Sequence, residues 1–128
     1  MGIRFEWGDE YSVGNSAINE QHKVLFELGN AIVEANLDEG MYFVDKLYEY
    51  ARIHFEFEEK HMNSINYPDY YKHVEIHNNL IAQLHDICQT SFINDDEFFV
   101  FKKFLYNWII EHIMYEDKKY ADYTKALS

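Results

Sequence analysis

The sequence is poor in the features that build disulfide-stapled, all-β or membrane proteins. A single cysteine, Cys88, excludes an internal disulfide and suits a reducing compartment. One proline and five glycines fall short of the turn chemistry that a β-sandwich requires every 8–12 residues or so. No stretch reaches the roughly 18 apolar residues of a membrane span, and the opening MGIRFEWGDEYSVG lacks the apolar core of a secretory leader. Glu6 spoils the pattern for N-myristoylation. Basic residues are scarce as well: 11 Lys and Arg stand against 23 Asp and Glu, a formal charge of −12. A surface that grips nucleic acid needs clustered Lys and Arg, so that class is excluded. These absences together predict a cytoplasmic protein that neither spans a membrane nor binds nucleic acid.

What is present is enough to fold. The chain has 128 residues, 48% hydrophobic and 18% aromatic, the size and composition of one domain with one core over residues 1–128. Apolar residues recur at helical spacing in four long segments. The first runs from about Ile18 to Leu37, with Ile18, His22, Leu25, Phe26, Gly29, Ile32 and Val33 on one face, and Asp38-Glu39-Gly40 interrupts it. The second, about Met41 to Ser64, turns Leu47, Ala51, His54, Phe55, Glu58 and His61 or Met62 inward. After the break at Asn66-Tyr67-Pro68-Asp69, the third continues to about Gln89 with His73, His77, Leu80, Ile81, Leu84 and Ile87 in a stripe. Asn94 and Glu97 read as a capping box before the fourth, which carries Phe98, Phe101, Leu105, Trp108, Ile109 and His112 and runs to residue 117 or beyond. Links this short favour antiparallel neighbours. The sequence therefore predicts an all-α, up-down-up-down four-helix bundle, with residues 1–17 laid across it as an arm.

Histidines carry the chemical information. Five of the seven lie on core faces. In an up-down-up-down bundle the starts of odd helices and the ends of even helices share one end, so His22, His54, Glu58, His73, His77, His112 and Asp117 meet at one level. Partners four apart project together, as in His54 with Glu58 and His73 with His77. His112 and Asp117 are five apart, roughly 140° round an ideal helix. Their convergence calls for a local widening of the helix, or for an approach to the site from opposite flanks.

Five imidazoles and two carboxylates cannot stay uncompensated in an apolar bundle, because each unpaired buried polar group costs several kcal/mol. Metal ions supply the compensation. One ion cannot take seven such ligands, whereas two ions bridged by both carboxylates can. A structural zinc site would use four ligands, commonly cysteines. Five nitrogens, two bridging carboxylates and one oxo or hydroxo bridge fill eleven of the twelve positions of two six-coordinate ions. One is left for an outside ligand. Mixed imidazole and carboxylate ligation suits iron ahead of manganese, cobalt or zinc.

Trp7, Ile18-Asn19-Glu20-Gln21-His22, His54-Phe55 through Glu58-Glu59, Tyr67-Pro68, His73-x-x-x-His77 and His112-Ile113-x-x-x-Asp117 occur in this order along the chain. The set resembles the hemerythrin family, and within it the single-domain bacterial members. That resemblance implies a non-haem di-iron centre, oxo- or hydroxo-bridged, with dioxygen as its reversible ligand and no catalytic turnover. It implies that His73, His77 and His112 hold one iron, that His22 and His54 hold the other, and that Glu58 and Asp117 bridge them. Phe26, Phe55, Trp108 and Ile109 are the candidate walls of an apolar dioxygen pocket.

Two other classes compete with carriage, storage or buffering of dioxygen. One is an oxygen or redox sensor acting through a separate partner; the other is a di-iron oxidase or peroxidase. The ferritin-like bundles that activate oxygen use paired Glu-x-x-His elements, and Glu58-x-x-His61 has no second copy here. His61 is therefore expected in an outer polar shell, His85 at the surface, Cys88 as a buried inert thiol, and Glu56, Glu59, Glu116 and Asp122 as solvated charge.

Overall fold

The computed structural model describes residues 4–90 and 92–127, and among them no strand occurs. Helix α1 spans Ser16–Glu34, α2 Leu37–Ser64, α3 Tyr70–Thr90 and α4 Asp95–Glu111. A π-helical segment, His112–Asp117, continues α4 without a break into α5, Lys118–Leu127. These three segments form one rod, so the molecule is the expected bundle of four rods. No described helix is long and apolar enough to cross a membrane.

Side-chain caps set most of the boundaries. The Asn15 side chain accepts from the Ile18 amide at 3.1 Å, so α1 begins two residues before the first apolar position of its stripe. Asn94 accepts from the Glu97 amide at 3.0 Å, as the capping-box pattern requires.

The first interhelical break differs from the sequence expectation. Helix α1 ends at Glu34, and Asp38, Glu39 and Gly40 form the opening turn of α2 rather than a linker. The cause is a reciprocal cap: the Asn36 side-chain oxygen accepts from the Glu39 backbone amide at 2.9 Å, while the Asn36 side-chain amide donates to Glu39 Oε1 at 2.8 Å. Gly40 serves packing there, since a Cβ at that position would lie 2.2 Å from Cζ of Phe98.

The end of α2 is a Schellman turn. The Tyr67 amide donates to the Met62 carbonyl at 3.0 Å and the Asn66 amide to that of Asn63 at 3.2 Å, with Asn66 left-handed at φ 55°. This turn reverses the chain and tucks Tyr67 inward.

Contacts at the two ends establish the antiparallel order. Near the starts of α2 and α4, Gly40 meets Phe98, and Lys102 donates to the Ala35 carbonyl at 3.0 Å. The starts of α1 and α3 and the ends of α2 and the fourth rod meet at the other end, around the histidines. Residues before α1 lie across the bundle as an arm. Phe5 is buried, exchanges two hydrogen bonds with the Asn30 side chain at 2.7 and 2.8 Å, and packs on Phe26 and Tyr106. Gly29 makes room for it, because a Cβ there would meet the Phe5 ring at 2.4 Å.

Two apolar clusters result. The larger fills the bundle from Phe98 and Val44 to Phe55 and Ile113. A smaller one, containing Val13, Ile18, Met62, Tyr67, Tyr120 and Ala121, closes the opposite end. Each of its members Ile18, Met62 and Tyr120 lies three or four residues from His22, Glu58 or Asp117. The polar residues are thereby sealed between two dry layers.

Candidate metal centre

All seven residues on the ligand-bearing faces come together, and each is at most 5% exposed. The π-helical segment solves the five-residue spacing. Its extra residue per turn brings His112 and Asp117 onto one side, with His112 Nε2 3.3 Å from Asp117 Oδ1. Of the two routes to convergence that the spacing left open, the fold takes the widened helix.

The carboxylate oxygens divide the histidines into two sets. Glu58 Oε1 lies 3.2 Å from Nε2 of His73 and 3.4 Å from that of His77. Its Oε2 lies 3.6 Å from His22 and 3.4 Å from His54. Asp117 repeats the division: Oδ1 faces His73 at 3.1 Å and His112 at 3.3 Å, and Oδ2 faces His22 at 3.1 Å. Ligand atoms of Glu58, His73, His77, His112 and Asp117 lie within 4.8 Å of one another, and so do those of His22, His54 and Glu58. Ligands about 2 Å from a first-row ion stand no more than about 4 Å apart across it. The 3.1 to 3.6 Å between imidazole nitrogens and carboxylate oxygens falls within that reach, so each of the two groups could hold a metal ion.

Buried valences make the same point chemically. Both nitrogens of His22 and of His73, Nδ1 of His112, and all four oxygens of Glu58 and Asp117 are buried without a hydrogen-bond partner. Native interiors leave few such groups, because each costs the desolvation of a polar atom. Cations between the Nε2 atoms and the carboxylates would satisfy most of them at once. Without cations, protons take that place. Burial alone would push His22 down, but Asp117 and Glu58 outweigh it and raise this imidazole to about 9. The same two carboxylates raise His73 to about 10 against its burial. Glu58, despite burial, is held well below the usual carboxylate range by the His54, His22 and His73 rings.

Neighbouring side chains fix the rings. The His54 Nδ1–H donates to Gln21 Oε1 at 2.6 Å, and the His77 Nδ1–H donates to Glu59 Oε2 at 2.8 Å. Each bond leaves an Nε2 lone pair aimed into the cluster, the tautomer a metal needs. Phe55 stacks on His77 at 3.7 Å between centroids and 3° between planes, and Trp108 stacks on His112 at 4.6 Å and 14°. Gln21 and Glu59 stand within the motifs that carry the family resemblance, but their role in orienting these rings is not legible in the sequence. Glu59 is not the solvated charge its position on α2 implies: its side chain is 22% exposed and reaches across to α3. A polar residue directly before or after a ligand is the one local signal that could have marked each.

A small cavity of about 10 Å³ adjoins the cluster. Leu25, Leu47, Ala51, Leu80 and Leu105 line it together with Phe55, Trp108, Ile109 and Ile113. Of the seven polar residues, His22, His54, His112 and Asp117 reach it, whereas Glu58, His73 and His77 do not. Three of the four expected wall residues are therefore present. Phe26 is not: its ring packs on Phe5, Trp7 and Tyr11 of the arm, and Leu25 takes the position facing the cavity.

The remaining titratable residues stand apart. His61 is half-buried and its Nδ1 is hydrogen-bonded to the Tyr120 phenol. His85 is exposed, its ring 5.9 Å from that of Tyr48. Cys88 is half-buried rather than fully buried, and its burial and the adjacent Asp45 carboxylate push the thiol up to about 12. It is inert as a nucleophile at neutral pH.

Residues 13–123 match the family model of the hemerythrin HHE cation binding domain. A bacteriohemerythrin from Clostridium acetobutylicum is 32% identical, over 92% of this chain and 99% of that protein. A hemerythrin-like protein from Naegleria gruberi is also 32% identical, over 91% of this chain and 90% of its own length. A solved structure of wild-type hemerythrin superposes with a TM-score of 0.81 at 25% identity, covering 94% of this chain and 97% of that one. With its fold, its sequence and its buried set of histidines and carboxylates in agreement, the chain belongs to the hemerythrin family.

Proposed function

We propose that this protein binds dioxygen reversibly at a pair of iron ions and so carries, stores or buffers it. His73, His77 and His112 hold one ion, His22 and His54 hold the other, and Glu58 and Asp117 bridge the two. The observation that carries this reading is the division of each bridging carboxylate between the two histidine sets. Three histidines on one side and two on the other leave the free coordination position on the side of His22 and His54. Both of those residues line the apolar cavity.

Iron, when bound, supplies the reversible electron transfer by which dioxygen is held. The protein supplies the rest. Gln21 and Glu59 hold two rings in the metal-binding tautomer, Phe55 and Trp108 lock ring planes, and the aliphatic wall excludes water. The cavity's volume, about 10 Å³, is room for about one water-sized body. It leaves no space for an organic substrate. Outside the proposed ligands, its wall offers no acid or base, which supports reversible binding over catalytic turnover of a substrate held in the cavity.

The test is repeated oxygenation of the iron-loaded, reduced protein, followed by absorption. A spectrum that appears with dioxygen and disappears on its removal, over several cycles, is expected. Oxidation in one direction on first exposure would refute reversible binding.

A further inference from the structure

The apolar cavity and a group of buried phenols lie on different sides of the cluster. The cavity reaches His22, His54 and His112 but not His73. Beside His73 stands Tyr67, 6% exposed, with its ring centroid 6.4 Å away. The Tyr67 ring lies 5.6 Å from that of Tyr120 and 5.3 Å from that of Tyr123. Tyr120 is 2% exposed, and its phenol is hydrogen-bonded to Nδ1 of His61. The Tyr123 hydroxyl, half-buried, donates to the carbonyls of Ile65 and Asn66 at 3.4 Å.

Packing alone does not require these hydroxyls, since phenylalanine would fill the same apolar cluster. A buried phenol joined to an imidazole is an oxidisable ring with its own proton acceptor. Histidine is the side chain that takes and returns a proton near neutrality. Rings 5.3 to 6.4 Å apart form an unbroken path from His73 to Tyr120 and Tyr123.

We propose that Tyr120 and His61 form a one-electron donor to the metal site, connected to it through Tyr67. The inference rests on the reading of the site as an iron pair. Two ferrous ions hold both electrons needed to break the O–O bond of hydrogen peroxide, but a half-oxidised pair holds only one. In that state the peroxide takes one electron from the ferrous ion and the other from Tyr120 through Tyr67. The O–O bond breaks to give two hydroxide ions, and the ferrous ion becomes ferric. The phenol proton passes to His61, leaving a neutral Tyr120 phenoxyl radical and an imidazolium. Atoms and charge balance without another reactant.

The test uses the full chain, loaded with iron, brought to the half-oxidised state, mixed with hydrogen peroxide and frozen rapidly for electron paramagnetic resonance. A tyrosyl radical should grow as the half-oxidised signal decays. Tyr120→Phe should lose most of that radical. So should His61→Gln, whose amide oxygen accepts the phenol hydrogen bond but takes up no proton. Tyr42→Phe, at a ring 59% exposed and outside the cluster, should leave it unchanged. A second measurement needs no iron: the metal-free chain is oxidised by photogenerated ruthenium(III) tris-bipyridine. Tyr120 oxidation should slow in deuterium oxide, and the slowing should vanish in His61→Gln. Absence of a tyrosyl radical from wild-type protein whose half-oxidised signal was present beforehand overturns the proposal. A radical undiminished in Tyr120→Phe does so too. Failure to bind iron at all would instead overturn the metal reading, and the ruthenium experiment would then decide whether Tyr120 and His61 are a donor pair.

Discussion

The Glu59 carboxylate lies 2.8 Å from Nδ1 of His77, one residue along α2 from Glu58, whose own carboxylate faces Nε2 of the same ring. Consecutive glutamates thus grip the two nitrogens of one imidazole, one orienting it and the other sharing its proposed metal.

Removing the orienting partner should weaken iron binding without emptying the fold. Glu59→Ala is expected to lower affinity at the three-histidine subsite by about 10- to 100-fold, the usual cost of losing such a partner. Gln21→Ala should act in the same way at the His54 subsite. Competition against a chelator, read as iron released per chain, measures both.

Bridging and terminal positions should respond differently. Glu58→Ala withdraws an oxygen from each proposed ion, so both should be lost together. His54→Ala should weaken one ion ahead of the other. Metal analysis of the purified variants separates the cases, and equal losses in the two would argue against Glu58 as a bridge.

Acidity should affect the metal-free and loaded proteins in opposite ways. In the metal-free fold, His22 and His73 rise from 6.5 to about 9 and about 10. Their stabilising contribution is therefore complete below about 6.5 and is lost as pH climbs through those higher values. Glu58 and Asp117, held below their ordinary 4.5 and 3.8, contribute above those values and lose it in acid. Buried His112, lowered mainly by burial, partly opposes the other two histidines below about 6.5. Metal-free protein should thus melt at its highest temperature between about pH 5 and pH 6.5. Loaded protein needs neutral imidazoles, so it should gain on the metal-free form as pH rises from about 6 towards 9. Calorimetric melts of both forms across this range provide the check.

The cavity can be filled without touching a ligand. Ala51 is 1% exposed and lines it, so Ala51→Leu should destabilise the fold by about 1–3 kcal/mol through overpacking. Iron content should survive while dioxygen uptake falls. Unchanged oxygen binding would show that the gas is held elsewhere.

Much of this architecture is written in residue periodicity. The histidine stripes and the short links bring seven polar residues to one level, and the five-residue step from His112 to Asp117 marks the place where a widened helix or an approach from opposite flanks is required; the structure resolves it as the widened helix. What escapes a reading of periodicity depends on partners from other segments. Asp38-Glu39-Gly40 looks like a linker until Asn36 and Glu39 cap each other and Phe98 fills the space over Gly40. Glu59 looks solvated, and Gln21 has no role of its own, until a ring from another helix reaches each of them. Phe26 shares the inward stripe of α1, but its side of the stripe is claimed by Phe5, Trp7 and Tyr11 from the arm.

Anomalous diffraction at the iron edge, on crystals of the reconstituted protein, gives the most direct view of the centre. Two peaks are expected between Glu58 and Asp117, one beside Nε2 of His73, His77 and His112 and the other beside Nε2 of His22 and His54. A single peak, or iron found away from these seven side chains, would contradict the paired site.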